Sequence, residues 1–126
     1  MFKFYNPNPD RILVDDCVIR AICLLTGKDW DRVYAELSVE GLRWHDWPNK
    51  NHIWGTYLVE HGYLQSLLPN TCPNCLTVKD FCRAFPTGTY LLAIGDHVVT
   101  VVDGDYYDTW DSGLEVPVYY WTVKKE

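Results

Sequence analysis

Cys17, His97 and Asp111 are residue types that, brought together, make a nucleophile, its base and an orienting carboxylate. In such a set a thiolate attacks an acyl carbon. The imidazole holds the thiolate as an ion pair and later protonates the leaving nitrogen, and the carboxylate fixes the ring tautomer. Asp108 is an alternative orienter, closer to the preceding turn. The oxyanion formed on attack needs preorganised N–H donors, and the backbone N–H of Cys17 is one candidate.

A second group of chemistry-bearing residues is Cys72, Cys75 and Cys82. Cys72-Pro73-Asn74-Cys75 is a lone CxxC, which can clasp one face of a tetrahedral zinc. Completing such a site takes further ligands, Cys82 nearby in sequence or a histidine brought in by the fold; otherwise these are thiols in a turn. A redox role for the pair would need a strand–helix setting that is absent here. Asp103, Asp105 and Asp108 lack the order of a calcium-binding loop. No phosphate-cradling glycine loop and no Gly-x-Ser-x-Gly elbow occurs.

The elements that must position Cys17 begin with residues 15–27. Val18, Ile22 and Leu25 fall at i, i+4 and i+7, and Ile19 and Cys23 widen that stripe, so a deeply buried helix is expected. Asp16 is the expected N-cap, its carboxylate accepting amide protons of the first turn, and Gly27 supplies the positive φ that ends it. Cys17 then sits at the positive end of a helix dipole, which favours the thiolate. Asp29 caps a second, amphipathic helix with Trp30, Val33, Tyr34 and Leu37 on one face, and a third is expected over residues 51–61, ended by Gly62. Between them, His45, Asp46 and His52 share a Trp-rich loop that is either a lip beside the cysteine or a capping loop pinned by its aromatics. Residues 1–14 are an extended lead-in that Ile12, Leu13 and Val14 should pin to the body.

The second half of the chain changes character. Residues 63–68 form a candidate short strand, Pro69–Pro73 breaks the chain, and Thr77 and Asp80 make a capping box for a short helix through Phe81 and Phe85. Strands are expected over residues 89–94, 97–102, 106–110 and 118–123, joined by Gly95-Asp96, Asp103-Gly104-Asp105 and Asp111-Ser112-Gly113. If Asp103–Asp105 is a three-residue loop, Val102 faces Tyr106 and His97 faces Asp111; a two-residue loop shifts this by one position. Helices first and an antiparallel meander second give an α+β domain.

The chain has 126 residues, enough for one domain with a proper core, and no linker, repeat or charge run divides it. A formal net charge of −6 with scattered basic residues argues against nucleic acid. No apolar run is long enough to span a membrane. The start lacks the apolar region of a secretory signal, and five cysteines is an odd number; reduced thiols in the cytoplasm are expected. Six Trp and nine Tyr exceed what a core of this size hides, so some should lie on a rim able to grip a peptide or a sugar.

A cysteine opening a buried N-terminal helix, then a histidine opening a strand, then Asp beyond the next hairpin, resembles the papain-like cysteine peptidase fold. Asp16-Cys17 and His97-Val98-Val99 with a following Asp-Gly turn are most similar to its small bacterial branch, which includes the domains that trim double-glycine leaders from exported peptides. The chain, over roughly residues 8–121, also resembles short proteins carried by bacteriophages and their hosts. The resemblance implies a papain-like domain with N-terminal helices packed on a C-terminal antiparallel sheet, Cys17 as nucleophile, His97 as general acid/base and Asp111 as orienter. Trp110 or Tyr107 would shield that pair from water. The expected activity is a cysteine peptidase or related thiol acyl-hydrolase acting on a peptide or isopeptide bond, with no cofactor. The alternative is the same fold used as a protein-binding module. The family usually carries an oxyanion-hole Gln six residues before the cysteine. Here that position is Arg11, and Asn8 or Asn6 is the stand-in donor on the arm.

Overall fold

In the computed structural model, which describes residues 1–68 and 75–123, the chain is an α+β domain. Its elements run β1 (Phe2–Phe4), α1 (Cys17–Thr26), α2 (Trp30–Trp44), α3 (Asn51–Glu60), β2 (Tyr63–Leu67), α4 (Val78–Ala84), β3 (Thr89–Ile94), β4 (His97–Val102), β5 (Asp105–Asp108) and β6 (Tyr119–Val123). The expected break at residues 69–73 and Cys72 lie outside the described residues.

Side-chain alternation along the central strands divides the core into two layers. Leu91, Ala93, Val98 and Trp121 face α1, α2 and α3, while Leu92, Val99, Val101 and Tyr106 meet Val78, Phe81 and Cys82 of α4. β4 is therefore buried on both faces, and the strand that begins with His97 is among the best held in the molecule. A buried tether joins it to the helix that begins with Cys17: the Thr100 hydroxyl donates to the Ala21 carbonyl at 2.7 Å.

The sheet has the order β1-β5-β4-β3-β6-β2 and is mixed, not an antiparallel meander. β3, β4 and β5 do form a meander, but β6 crosses over to lie between β3 and β2. β1 pairs parallel with β5, matching Phe2–Phe4 with Tyr106–Asp108. The arm is thus anchored by its first residues. Ile12, Leu13 and Val14, expected to pin it, are exposed.

The largest correction concerns the tip between β4 and β5. Val102 pairs with Asp105, so the loop is two residues, Asp103 and Gly104. Both have positive φ, 49° and 82°, the backbone of a tight hairpin turn that matches strand twist. Asp103 is held there by its backbone N–H to the Gly88 carbonyl and by its carboxylate accepting from Gly88 N–H, both at 2.9 Å. Continuing the pairing of Thr100 with Tyr107 brings Asp108 level with Val99, two residues along β4 from His97.

Helix ends follow their side chains. Thr77 and Asp80 make the expected reciprocal cap, and Gly27 takes the left-handed conformation at φ 77°. α2 runs past Leu37 to Trp44, with Gly41 on its buried side. A Cβ on Gly41 would lie 2.7 Å from the Asp46 carbonyl oxygen and 3.2 Å from the Pro48 ring, so the bare backbone lets residues 46–48 close onto the helix. Gly41→Ala is expected to lower the melting temperature by several degrees: overpacking of about 1–3 kcal/mol outweighs a gain in helix preference of at most about 1 kcal/mol. A rise on thermal unfolding would show that the loop yields freely.

Candidate functional site

α1 places Cys17 at its first residue, and the tight Gly95-Asp96 turn places His97 at the first residue of β4, paired with Ile94. The two come together: the His97 ring and the backbone N–H of Val98 both act on the Cys17 thiol and favour its ionised form. His97 Nε2 lies 2.7 Å from Asp108 Oδ2, which leaves Nδ1 as the ring nitrogen for the sulfur. Trp110 covers the imidazole, with ring centroids 4.8 Å apart, whereas Tyr107 packs instead on Tyr5.

Asp108, the alternative orienter, is therefore the carboxylate on the ring. Asp111, the first choice, is elsewhere. It accepts from the Tyr106 hydroxyl and from Gly113 N–H and borders a smaller cavity beside Lys79, Cys82 and Arg83. The physical reason is the two-residue turn: shortening the loop by one slides β5 along β4 and changes which aspartate comes within reach.

Asp108 is wholly buried and has all its lone pairs used. Oδ2 accepts from His97 and from Ser112 Oγ at 2.7 Å; Oδ1 accepts from Thr109 N–H at 2.8 Å and from Arg20 Nη2 at 3.1 Å. Arg20, also buried, sends Nη1 to Asp16 Oδ1 at 2.6 Å, and Asp16 Oδ2 takes the Trp30 indole N–H at 2.9 Å. Asp16 stands at the N-cap position, but its side chain makes no cap bond. Its carboxylate is drawn to Arg20 and Trp30, which corrects the capping role expected of it. The first-turn amides of α1 thus have no side-chain cap. Asn8 and Asn6, the stand-in oxyanion donors of the arm, are turned to the arm itself: Asn8 Oδ1 accepts from Asp10 N–H, Asn6 Nδ2 donates to the Ile12 carbonyl, and neither borders the cleft.

The charges agree with this geometry. Burial pushes the Cys17 thiol up, but the hydrogen bonds from His97 and Val98 N–H and the positive charges of His97 and Arg20 outweigh it, and the net shift is downward. Burial pulls His97 down, yet its bonds to Asp108 and Cys17 raise it to about 9. For Asp108 burial raises the carboxyl, and the bonds from His97 and Ser112 hold it below the usual carboxylate range. A thiolate–imidazolium pair over a buried carboxylate is what such shifts favour. The other thiols move oppositely: burial lifts Cys23 to about 12 and raises Cys82.

Cys17 and His97 open onto a cleft of about 1360 Å³. Its lining includes the exposed stretch Leu13, Val14 and Asp15 and the Gly95-Asp96 turn with Trp110. Residues 47–51 of the Trp-rich loop also line it, while His52 pairs with Asp46 and His45 caps α2, neither histidine lining the cleft.

Of the cysteines considered for zinc, Cys75 is disulfide-bonded, which removes its sulfur as a ligand and departs from five reduced thiols. Cys82 is a buried free thiol, and among the described residues no three His, Cys, Asp or Glu side chains are set to hold a metal. Among those residues no helix is long and apolar enough to cross a membrane.

Sequence reasoning missed Arg20, Ser112 and Trp30. Arg20 had one available signal, a charge four residues after Asp16 inside an apolar helix, the spacing of a helical ion pair. Ser112 read as plain turn chemistry and Trp30 as part of an apolar face. No family model matches the chain, and no curated protein or solved structure matches it.

Proposed function

We propose that the chain is a thiol acyl-hydrolase of papain-like design, cleaving a peptide or isopeptide bond through Cys17, His97 and Asp108. The observation that carries the reading is the thiol of Cys17 beside a histidine whose Nε2 sits on a buried carboxylate, with Cys17 and His97 both lining one open cleft. The Cys17 sulfur attacks the acyl carbon, and the carbonyl electron pair moves to oxygen. First-turn N–H groups of α1, which no side chain caps, meet that oxyanion. His97 gives its proton to the leaving nitrogen as the C–N bond breaks, leaving a thioester on Cys17. His97 then takes a proton from water, the hydroxide adds to the thioester, and collapse releases the acid and restores the thiolate. Asp108 keeps Nδ1 aimed at the sulfur throughout. The donor role of the family's glutamine falls here to the backbone.

A panel of fluorogenic peptide amides and thioesters tests the reading. Turnover that disappears in Cys17→Ala supports it, with a loss of at least about a thousandfold expected for removal of a nucleophile. Equal background rates in both proteins over the whole panel would leave the alternative, a binding module that presents the same cleft to a protein partner.

A further inference from the structure

Arg20 ties both halves of the thiol site together through its charged end. It lies one helical turn after Cys17 on α1, so the helix backbone fixes its distance from the thiol. Its guanidinium spans two buried carboxylates, Asp16 at 2.6 Å and Asp108 at 3.1 Å, and its own side chain is 5% exposed. Its contacts therefore run from the helix that carries Cys17, through Arg20 and Asp108, to the His97 ring that acts on the thiol.

We propose that Arg20 is a positioning residue of this site, acting through Asp108 to hold His97 against the Cys17 thiol. The inference rests on the thiol chemistry proposed above. Without a cation beside it, a carboxylate as deeply buried as that of Asp108 is pushed to take up a proton. If Asp108 did so, it would lose its charge opposite His97 and its hold on the ring. The planar fork also sets direction: its two Nη groups reach different carboxylates at once, which a single ammonium on a flexible stem does not reproduce. Trp30 fixes the far carboxylate by donating to Asp16, so the fork has a rigid anchor. The other titratable groups near the fork are Tyr5 on the arm, whose hydroxyl is raised to about 12 by burial, and Cys23 on α1. Both stay neutral through the pH range of the test.

The test is iodoacetamide labelling of the full chain between pH 5 and 10, read at each cysteine by mass spectrometry, for the unaltered chain, Arg20→Lys and Arg20→Met. The unaltered chain should label rapidly at Cys17. Arg20→Lys keeps the charge but not the fork, and its Cys17 rate at pH 7 should fall about tenfold with the profile moved toward higher pH. Arg20→Met should fall further, and where it does not fold, Arg20→Lys alone decides. A folded Arg20→Lys with the unaltered rate and profile overturns the proposal. Slow labelling of Cys17 in the unaltered chain is a different result: it removes the thiol-site reading itself, and the role of Arg20 with it. A purely structural arginine would lower the melting temperature in these variants while leaving the folded fraction's pH profile in place.

Discussion

Asp108→Asn is expected to lower the melting temperature by about 10–20 °C and to cut any Cys17-dependent turnover by roughly a thousandfold or more, while Asp111→Asn leaves the Cys17 rate unchanged. Asp108 receives four donors in a site with no solvent: His97, Ser112, Arg20 and Thr109 N–H. An asparagine oxygen can satisfy two of them at most, and an amide nitrogen facing His97 Nε2 donates where the carboxylate accepted. Breaking a buried ion pair by neutralising one member costs about 3–5 kcal/mol, which gives the quoted shift for a domain of this size. The effect on turnover follows from tautomer: once the carboxylate is gone, nothing holds the proton on Nε2, and a neutral ring that carries its proton on Nδ1 cannot accept one from the thiol. Asp111 hydrogen-bonds Tyr106 and Gly113 and borders a different cavity from Cys17, so its loss is felt at the β5 exit. Thermal unfolding and substrate turnover of the two variants check this. If Asp111→Asn alone suppressed the Cys17 rate, the assignment of Asp108 would fail.

The second large effect is in thiol reactivity. At pH 7 a thiol near 12, as Cys23 is, carries about one thiolate in 100,000, and one at the ordinary 9 about one in 100. Cys17 lies below that ordinary value, so it should alkylate at least about a thousandfold faster than Cys23 on ionisation alone. Cys82, raised and buried, should also lag. The rate should rise with pH through the lowered thiol value and then level off. Stability adds a signature of opposite sign. His97 is raised from 6.5 to about 9, so its contribution is fully present below pH 6.5 and drains away as pH climbs through 9. His97→Ala should therefore be least stable relative to the unaltered chain on the acid side of that window and converge with it above. Labelling followed by peptide mapping, with urea unfolding across pH 6–10, reads both; even labelling of Cys17, Cys23 and Cys82 would point to the binding module.

What could be read in advance was local. Asp16-Cys17 before an apolar periodic run, and Gly95-Asp96 before a β-branched run, are short-range signals, and both the helix and the strand they introduce are where expected. What could not be read depended on distance or on a single residue of spacing. Arg20 is buried because Asp108, 88 positions later, comes to meet it. Phe2–Phe4 becomes a strand only because β5 offers a parallel edge. Ile12, Leu13 and Val14 form an apolar run whose exposure beside the cleft no hydropathy pattern announces. Asp103-Gly104-Asp105 allows a loop of two residues or three, and the choice between Asp108 and Asp111 turned entirely on it.

That same hairpin tip bears on how the chain tolerates change. Surface turns are ordinarily where insertions and deletions accumulate without harm. Here one added residue between Val102 and Asp105 would re-phase the whole of β5 and exchange the partner of a ring at the opposite end of the strand. If the proposed chemistry holds, the length of the Asp103-Gly104 turn matters to it as much as the cysteine does, although the turn lies at the far end of β4 from His97.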